Sequence, residues 1–218
     1  MTFASSALRA SGVAEGQVNH YLSQLQGLLD SLRLSIGPRE GEEAGRALFQ
    51  ELWQQKPHRY RPGAPFRLHQ VLENQLDPRQ PAVGNCLGLT LLLNSLAQGL
   101  GLKVGAVYLP EAFGHGPHVL SLLYAERGSL DVENILPQGF DYPGHRGSPG
   151  RQVWGDEELL ADVYTSAGNE ALERGQVALA VAELDRALAL NPGYRTARHN
   201  RAVALLKLGR AVDVEDLA

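Results

Sequence analysis

One segment of the chain is apolar on nearly every side and has to lie at the centre of whatever the chain folds into. Leucine occupies seven of its positions: Leu87, Leu89, Leu91, Leu92, Leu93, Leu96 and Leu100. A helix with leucines all the way round is stable only when it is covered on most sides. Gly99 and Gly101 suit its C-terminal end, so the pattern predicts a central helix at about 86–99. At about 17 residues with polar interruptions, the segment is too short and too polar for a membrane span.

Three further helices are predicted before the central one. Apolar residues recur at intervals of three and four from Val18 to Leu34, and Gly37-Pro38 ends that helix. A second helix is predicted at about 40–56 and a short one at about 67–75, joined by a proline-rich connection. The first nine residues lack a basic segment followed by an apolar one, so we interpret them as a loose terminus and not as a secretory signal.

Strand-forming segments follow the central helix, at 104–109, 119–124 and 130–135, with a turn at 126–128. One long helix followed by a meander of short strands predicts an α+β fold, in which an antiparallel sheet packs against the helix. A loop rich in glycine and proline at 137–155 marks a boundary. We therefore expect two domains, an α+β domain at 1–155 with a helical N-terminal lead-in and an all-α domain at 156–218.

The C-terminal segment carries the spacing of a helical repeat. Its small and aromatic residues match the 34-residue tetratricopeptide pattern, at Tyr164, Ala167, Gly168, Ala171, Gly175, Ala180, Leu184, Ala187 and Pro192. A partial second repeat follows. Because each repeat buries its apolar face only against a neighbour, we expect the hairpin to pack on the first domain. It would serve either as a brace or as a groove for a partner peptide.

The composition excludes several classes of function. A single cysteine allows neither an internal disulfide nor a cysteine-rich zinc site. The chain has 20 Lys plus Arg against 24 Asp plus Glu, a net charge of -4, which gives no general excess of positive charge for nucleic acid. We expect a cytoplasmic protein that acts on or binds a protein or peptide. No cofactor, metal, nucleic acid or membrane is predicted as a partner, and the oligomeric state stays open.

The single cysteine, Cys86, is predicted in the first turn of the central helix. The helix dipole and the free backbone N–H groups there stabilise a thiolate. A thiolate nucleophile also needs an imidazole to hold its proton and a carboxylate or amide to orient the ring. His118 begins the second strand and Asp131 lies on the third, so the sequence predicts a Cys86, His118, Asp131 triad.

The hairpin register argues against one member of this triad. With a tip at 126–128, Asp131 pairs near Leu122, about four residues from His118, and at ~3.4 Å per residue that separation is too long for a hydrogen bond. Unless the hairpin is bulged, Asn134 and Asp141 are the alternative orienting groups.

Other interpretations of these residues stay open. His115 is a rival to His118. Four further histidines are expected to face solvent: His58, His69, His145 and His199. Cys86 could be a small buried hydrophobic residue, a redox-sensitive thiol, or a metal ligand together with histidines, although no pair has the spacing of a helical metal motif.

Four stretches of the chain resemble the transglutaminase-like superfamily of papain-like cysteine enzymes. They are Gly84–Leu93, Gly101–Pro110, Gly116–Val119 and Leu130–Val132. More narrowly, the chain is similar to bacterial proteins that join such a domain, with a helical lead-in, to tetratricopeptide repeats. The resemblance implies a transglutaminase-like α+β fold.

The resemblance also implies a chemistry. Cys86 would attack an amide carbonyl to give a thioester, His118 would carry the proton and Asp131 would hold the ring. Water as the second nucleophile would make the protein a hydrolase, and an amine would make it an acyltransferase. The alternative is a catalytically inactive protein of this fold that binds a partner through its repeat.

Overall fold

The computed structural model describes residues 2–212, so Met1 and residues 213–218 of the two predicted domains lie outside the described residues. Within this range the chain forms eight helices and one four-stranded antiparallel sheet, which confirms the predicted α+β class. No helix in the same range is long and apolar enough to cross a membrane. The chain separates into two compact units, with the boundary between Asp156 and Glu157.

Five helices lead up to the sheet of the first unit. They are α1 Thr2–Ala10, α2 Glu15–Ile36, α3 Gly41–Gln55, α4 Leu68–Leu76 and α5 Cys86–Gly99. The prediction of a loose terminus was wrong, because residues 3, 4, 7 and 8 form an apolar helical face that is buried in the core. The central helix α5 is as expected, since every residue from Leu87 to Ala97 is buried.

The sheet has the order β3-β2-β1-β4, formed by β1 Val104–Leu109, β2 His118–Ala125, β3 Gly128–Val132 and β4 Gln152–Trp154. The β2–β3 hairpin places Asp131 opposite Leu122, which is the register deduced from the sequence. Strand β4 lies in the segment predicted as loop. It pairs with β1, and the Trp154 ring stacks on Tyr108 with 4.3 Å between ring centroids.

Gly88 sets how closely the first turn of α5 approaches the preceding segment. A Cβ atom on Gly88 would lie 2.6 Å from the Pro65 carbonyl oxygen and 2.7 Å from a Val71 methyl carbon. The first of these neighbours is backbone, which cannot turn away. The close approach therefore needs glycine, and it fixes the end of the helix that carries Cys86.

Replacing Gly88 with alanine is expected to lower the free energy of unfolding by about 1–3 kcal/mol, because the first turn of α5 has to move. Urea denaturation measures the loss. Gly99→Ala, at the other end of α5, is the matched control. Its new Cβ would meet a Leu29 methyl at 2.6 Å, and a side-chain tip can move aside. Equal losses in the two variants would contradict this explanation.

The second unit consists of helices. Its elements are α6 Asp156–Glu173, which starts at the boundary, α7 Val177–Leu190 and α8 Arg195–Lys207. A Cβ on Gly168 would lie 2.7 Å from Leu184 Cγ, so a small residue stands where α6 and α7 approach. The Tyr194 hydroxyl donates a hydrogen bond of 2.7 Å to Asp162.

Candidate active site

Cys86 is the first residue of α5 and is partly exposed. The helix begins there because Asn85 is an N-cap with extended backbone, and its Oδ1 accepts a hydrogen bond of 3.0 Å from the Gly88 N–H. The sulfur therefore lies at the positive end of the helix dipole, in the first turn, where backbone N–H groups lack intrahelical acceptors.

A stripe of polar residues orients α5 against the sheet. Cys86, Thr90 and Asn94 are four residues apart, so they share one face of the helix. Asn94 Nδ2 donates to the Gly105 carbonyl at 2.9 Å, and the Thr90 hydroxyl donates to the Val119 carbonyl at 3.3 Å. These bonds tie α5 to β1 and β2, and they set Cys86 against the start of β2.

His118, the first residue of β2, bridges Cys86 and a buried carboxylate. Its Nε2 lies 2.8 Å from Glu133 Oε2, and its ring also shares a hydrogen bond with Cys86. Since Nε2 is used by Glu133, Nδ1 is the ring nitrogen left for the sulfur. The side chain is 7% exposed and that of Glu133 is 0% exposed. The structure thus brings together the predicted Cys86 and His118.

The electrostatics of this chain of contacts favour a charged imidazole. Burial lowers the pKa of His118, but hydrogen bonds to Cys86 and Glu133, with the negative charge of those partners, outweigh burial and raise the pKa to about 9. Burial raises the pKa of Glu133, but hydrogen bonds from His118 and His145 outweigh it and leave that pKa below its ordinary value. Glu133 is therefore ionised at neutral pH.

Asp131 does not reach His118. It lies opposite Leu122, and its Oδ1 accepts a hydrogen bond of 2.9 Å from Arg151 Nη2. The contact predicted for Asp131 is made instead by Glu133. The physical reason is register, because Glu133 is two residues closer to the His118 end of the hairpin and on the same face of the chain.

The alternatives that the sequence left open lie elsewhere. Asn134 Nδ2 donates to Thr90 Oγ1 at 3.1 Å and to Ser121 Oγ at 2.9 Å, so it braces α5 and does not orient the ring. Asp141 is paired with Arg146. His115 is exposed in the loop before β2.

His145 is a second buried histidine at the site, and the expectation that it faces solvent was wrong. It ends a short 3-10 turn, Pro143–His145, and its Nε2 lies 3.1 Å from the same Glu133 oxygen that meets His118. Its ring packs on Tyr142 and Phe113, with centroid distances of 5.0 and 4.9 Å. No spacing rule in the sequence pointed to it, since it lies in a loop rich in glycine and proline.

These contacts also form a potential metal-binding cluster. The ligating atoms of His118, Glu133 and His145 all lie within 4.8 Å of one another, and all three residues are buried. Two imidazoles and one carboxylate are a ligand set found at zinc sites.

Tyr60 lies near Cys86 and Glu133, whose charges act on its phenol. It forms a parallel bridge with Gly84, two residues before Cys86. Burial raises the pKa of Tyr60, and the negative charges of Cys86 and Glu133 raise it further. The phenol therefore stays protonated and can donate a hydrogen bond.

In comparisons with known proteins, no protein-family model, no curated protein and no solved structure matches the chain.

Proposed function

We propose that the protein is a cysteine-dependent enzyme acting on amide bonds through a thioester, with Cys86 as nucleophile, His118 as general base and acid, and Glu133 as the group that orients His118. The observation that carries the proposal is the continuous contact from Cys86 through His118 to Glu133 Oε2 at 2.8 Å. A nucleophile, a base and an orienting carboxylate in contact is the arrangement that nucleophilic catalysis requires.

In the first half of the reaction, Cys86 has already given its proton to His118 Nδ1, and the thiolate sulfur attacks the carbonyl carbon of a peptide or glutamine amide. The Cys86 backbone N–H and the dipole of α5 stabilise the oxyanion of the tetrahedral intermediate. When the C–N bond breaks, His118 returns the proton to the departing amine, and a thioester on Cys86 remains.

In the second half, water or a primary amine attacks the thioester. His118 takes a proton from this second nucleophile and the sulfur leaves as thiolate. Water gives a carboxylic acid and an amine gives a new amide. Throughout, Glu133 accepts the Nε2–H hydrogen bond, which fixes the ring and stabilises the imidazolium.

The same proposal includes a transglutaminase-like fold, which this arrangement supports, and a tetratricopeptide nature of the second unit, which the helices α6 and α7 with Gly168 at their approach support. A helix that starts with the nucleophilic cysteine lies against an antiparallel sheet that carries the histidine, in the chain order of that superfamily. Glu133 orients the His118 ring in this proposal, a role that the resemblance assigned to Asp131. A free, partly exposed thiol also suits a reducing, cytoplasmic setting.

The function is tested with a glutamine-rich unstructured polypeptide, incubated with a fluorescent primary amine and separately in buffer alone. We expect amine incorporation, or ammonia release or peptide cleavage, that Cys86→Ala reduces by at least about 1000-fold. His115→Ala removes an exposed histidine of the adjacent loop and is the matched control. Activity that survives in Cys86→Ala would contradict the proposal. It would also be contradicted if the wild type showed no amine incorporation, ammonia release or peptide cleavage and its Cys86 were alkylated only slowly.

A further inference from the structure

Two imidazole rings and one carboxylate converge on a single point within the first unit. His118 Nε2 and His145 Nε2 both meet Glu133 Oε2, at 2.8 and 3.1 Å. The three side chains come from the start of β2, from the segment after β3 and from the 3-10 turn at Pro143–His145. The orienting contact in the proposed triad uses only one of these rings, and the second is left without a role.

We propose that His118, Glu133 and His145 bind a divalent transition-metal ion, with zinc as the best fit. Imidazole nitrogen and carboxylate oxygen are ligands for Zn²⁺ in proteins, and two histidines with one glutamate leave a fourth position for water. Two neutral imidazoles and one carboxylate give the bound ion a net charge of +1. A thiolate at Cys86 would balance that charge from outside the coordination shell.

The distances require only a small adjustment. In a tetrahedral site with metal–ligand bonds of about 2.0–2.1 Å, the ligand atoms are ~3.3 Å apart. The two nitrogen–oxygen separations of 2.8 and 3.1 Å have to open by a few tenths of an ångström, and the two nitrogens start within 4.8 Å of each other. The ion takes the place of the Nε2 protons, and each ring carries its remaining proton on Nδ1.

Hydrogen bonds from neighbouring groups orient the ligands, as outer-shell hydrogen bonds do at metal sites. Glu133 Oε1 accepts a hydrogen bond of 3.3 Å from the Ile135 N–H, so Oε2 is the oxygen turned to the rings. The His118 ring shares a hydrogen bond with Cys86, and Nδ1 is the nitrogen that the contact with Glu133 leaves for it. An ion at this point would thus have Cys86 as an outer-shell neighbour and not as a ligand.

Phe113 covers both rings and is the side chain past which an ion would enter. Its ring makes edge contacts with His118 and His145, at 5.5 and 4.9 Å between centroids, yet it is 45% exposed. It lies in the loop between β1 and β2, which also holds two glycines of positive φ, Gly114 and Gly116.

Metal binding would switch off the proposed catalysis, and this consequence rests on the proposed function. With Nε2 on the ion, His118 carries its one remaining proton on Nδ1 and has no lone pair with which to accept a proton from Cys86. The proton transfers of both half-reactions would therefore stop. The binding itself does not depend on catalysis, so the two ideas fail separately.

The binding is tested by titrating the metal-free full-length protein with Zn²⁺ in a calorimeter. We expect one equivalent to bind. His145→Ala and Glu133→Gln should each weaken the affinity by at least about 100-fold, because loss of a ligand exceeds the 10–100-fold cost of losing an outer-shell partner. His115→Ala should retain it within about threefold, and Cys86→Ser, which changes only an outer-shell neighbour, should lose less affinity than either ligand variant. No binding to the wild type, or an affinity unchanged by His145→Ala, would overturn the proposal.

Cobalt(II) provides a measurement that needs no variant. Loaded wild-type protein should show the visible absorption of tetrahedral cobalt without a thiolate-to-cobalt charge-transfer band. A charge-transfer band would place Cys86 in the coordination shell, and an octahedral spectrum identical to that of free cobalt would show that no site is formed. Either result would overturn the assignment of His118, Glu133 and His145 as the ligands.

Discussion

Replacing Glu133 with glutamine is expected to slow alkylation of Cys86 by iodoacetamide at least about tenfold at about pH 6, because a nearby opposite charge shifts a titration by one to three pKa units. Iodoacetamide reacts with thiolates, and an ordinary thiol is almost fully protonated at that pH. Glutamine keeps the size of the side chain but loses the charge that stabilises the imidazolium of His118. The thiolate of Cys86 then loses its charged partner.

The expected loss of turnover is larger than the loss of labelling. Removing the charge of the carboxylate that orients a catalytic histidine costs up to about 10⁴-fold in kcat in a comparable triad, so we expect Glu133→Gln to lose at least about 100-fold in amide turnover. The single cysteine of the chain makes labelling unambiguous, since no other thiol can react. Circular dichroism and urea denaturation show whether the variant stays folded.

Replacing Asp131 with alanine is expected to act on stability and not on chemistry. Asp131 is 3% exposed and pairs with Arg151, which is 19% exposed, at 2.9 Å. Breaking a buried pair leaves an uncompensated charge and costs about 3 kcal/mol or more. We expect the urea midpoint to fall by a corresponding amount.

In the same variant, Cys86 should be alkylated within about threefold of the wild-type rate, measured where the protein is still folded. The contact that orients His118 is intact, because it is made by Glu133. The pair Asp131→Ala and Glu133→Gln thus separates a structural carboxylate from a functional one. A loss of labelling in the folded Asp131→Ala protein would contradict this assignment.

Much of the fold could be predicted because each element has a local signal. The leucine pattern of α5 and the strand signals of the β2–β3 hairpin were sufficient, and the hairpin even gave the correct pairing of Asp131 with Leu122. The helix α1 was missed because a chain terminus is ordered only when it packs on the rest of the molecule, and the burial of its apolar residues 3, 4, 7 and 8 depends on tertiary contacts. Strand β4 has only three residues, and its pairing with β1 depends on a partner distant in sequence.

At the site, the position of Cys86 followed from the helix start, and that of His118 from the strand start. Glu133 was missed, although the predicted pairing of β2 with β3 was enough to identify it. Strand residues two apart share a face, so the residue two beyond Asp131 is the next carboxylate on the His118 face and lies nearer to it. His145 could not be inferred in this way, because it arrives from an irregular loop whose path is set by tertiary contacts.

The most direct measurement of the central claim is the rate of Cys86 alkylation at about pH 6 in folded wild type, Glu133→Gln and Asp131→Ala. We expect fast labelling in the wild type, at least about tenfold slower labelling in Glu133→Gln and a near wild-type rate in Asp131→Ala. Slow labelling of the wild type until it is unfolded, or equal rates in wild type and Glu133→Gln, would show that Cys86, His118 and Glu133 do not work as a unit.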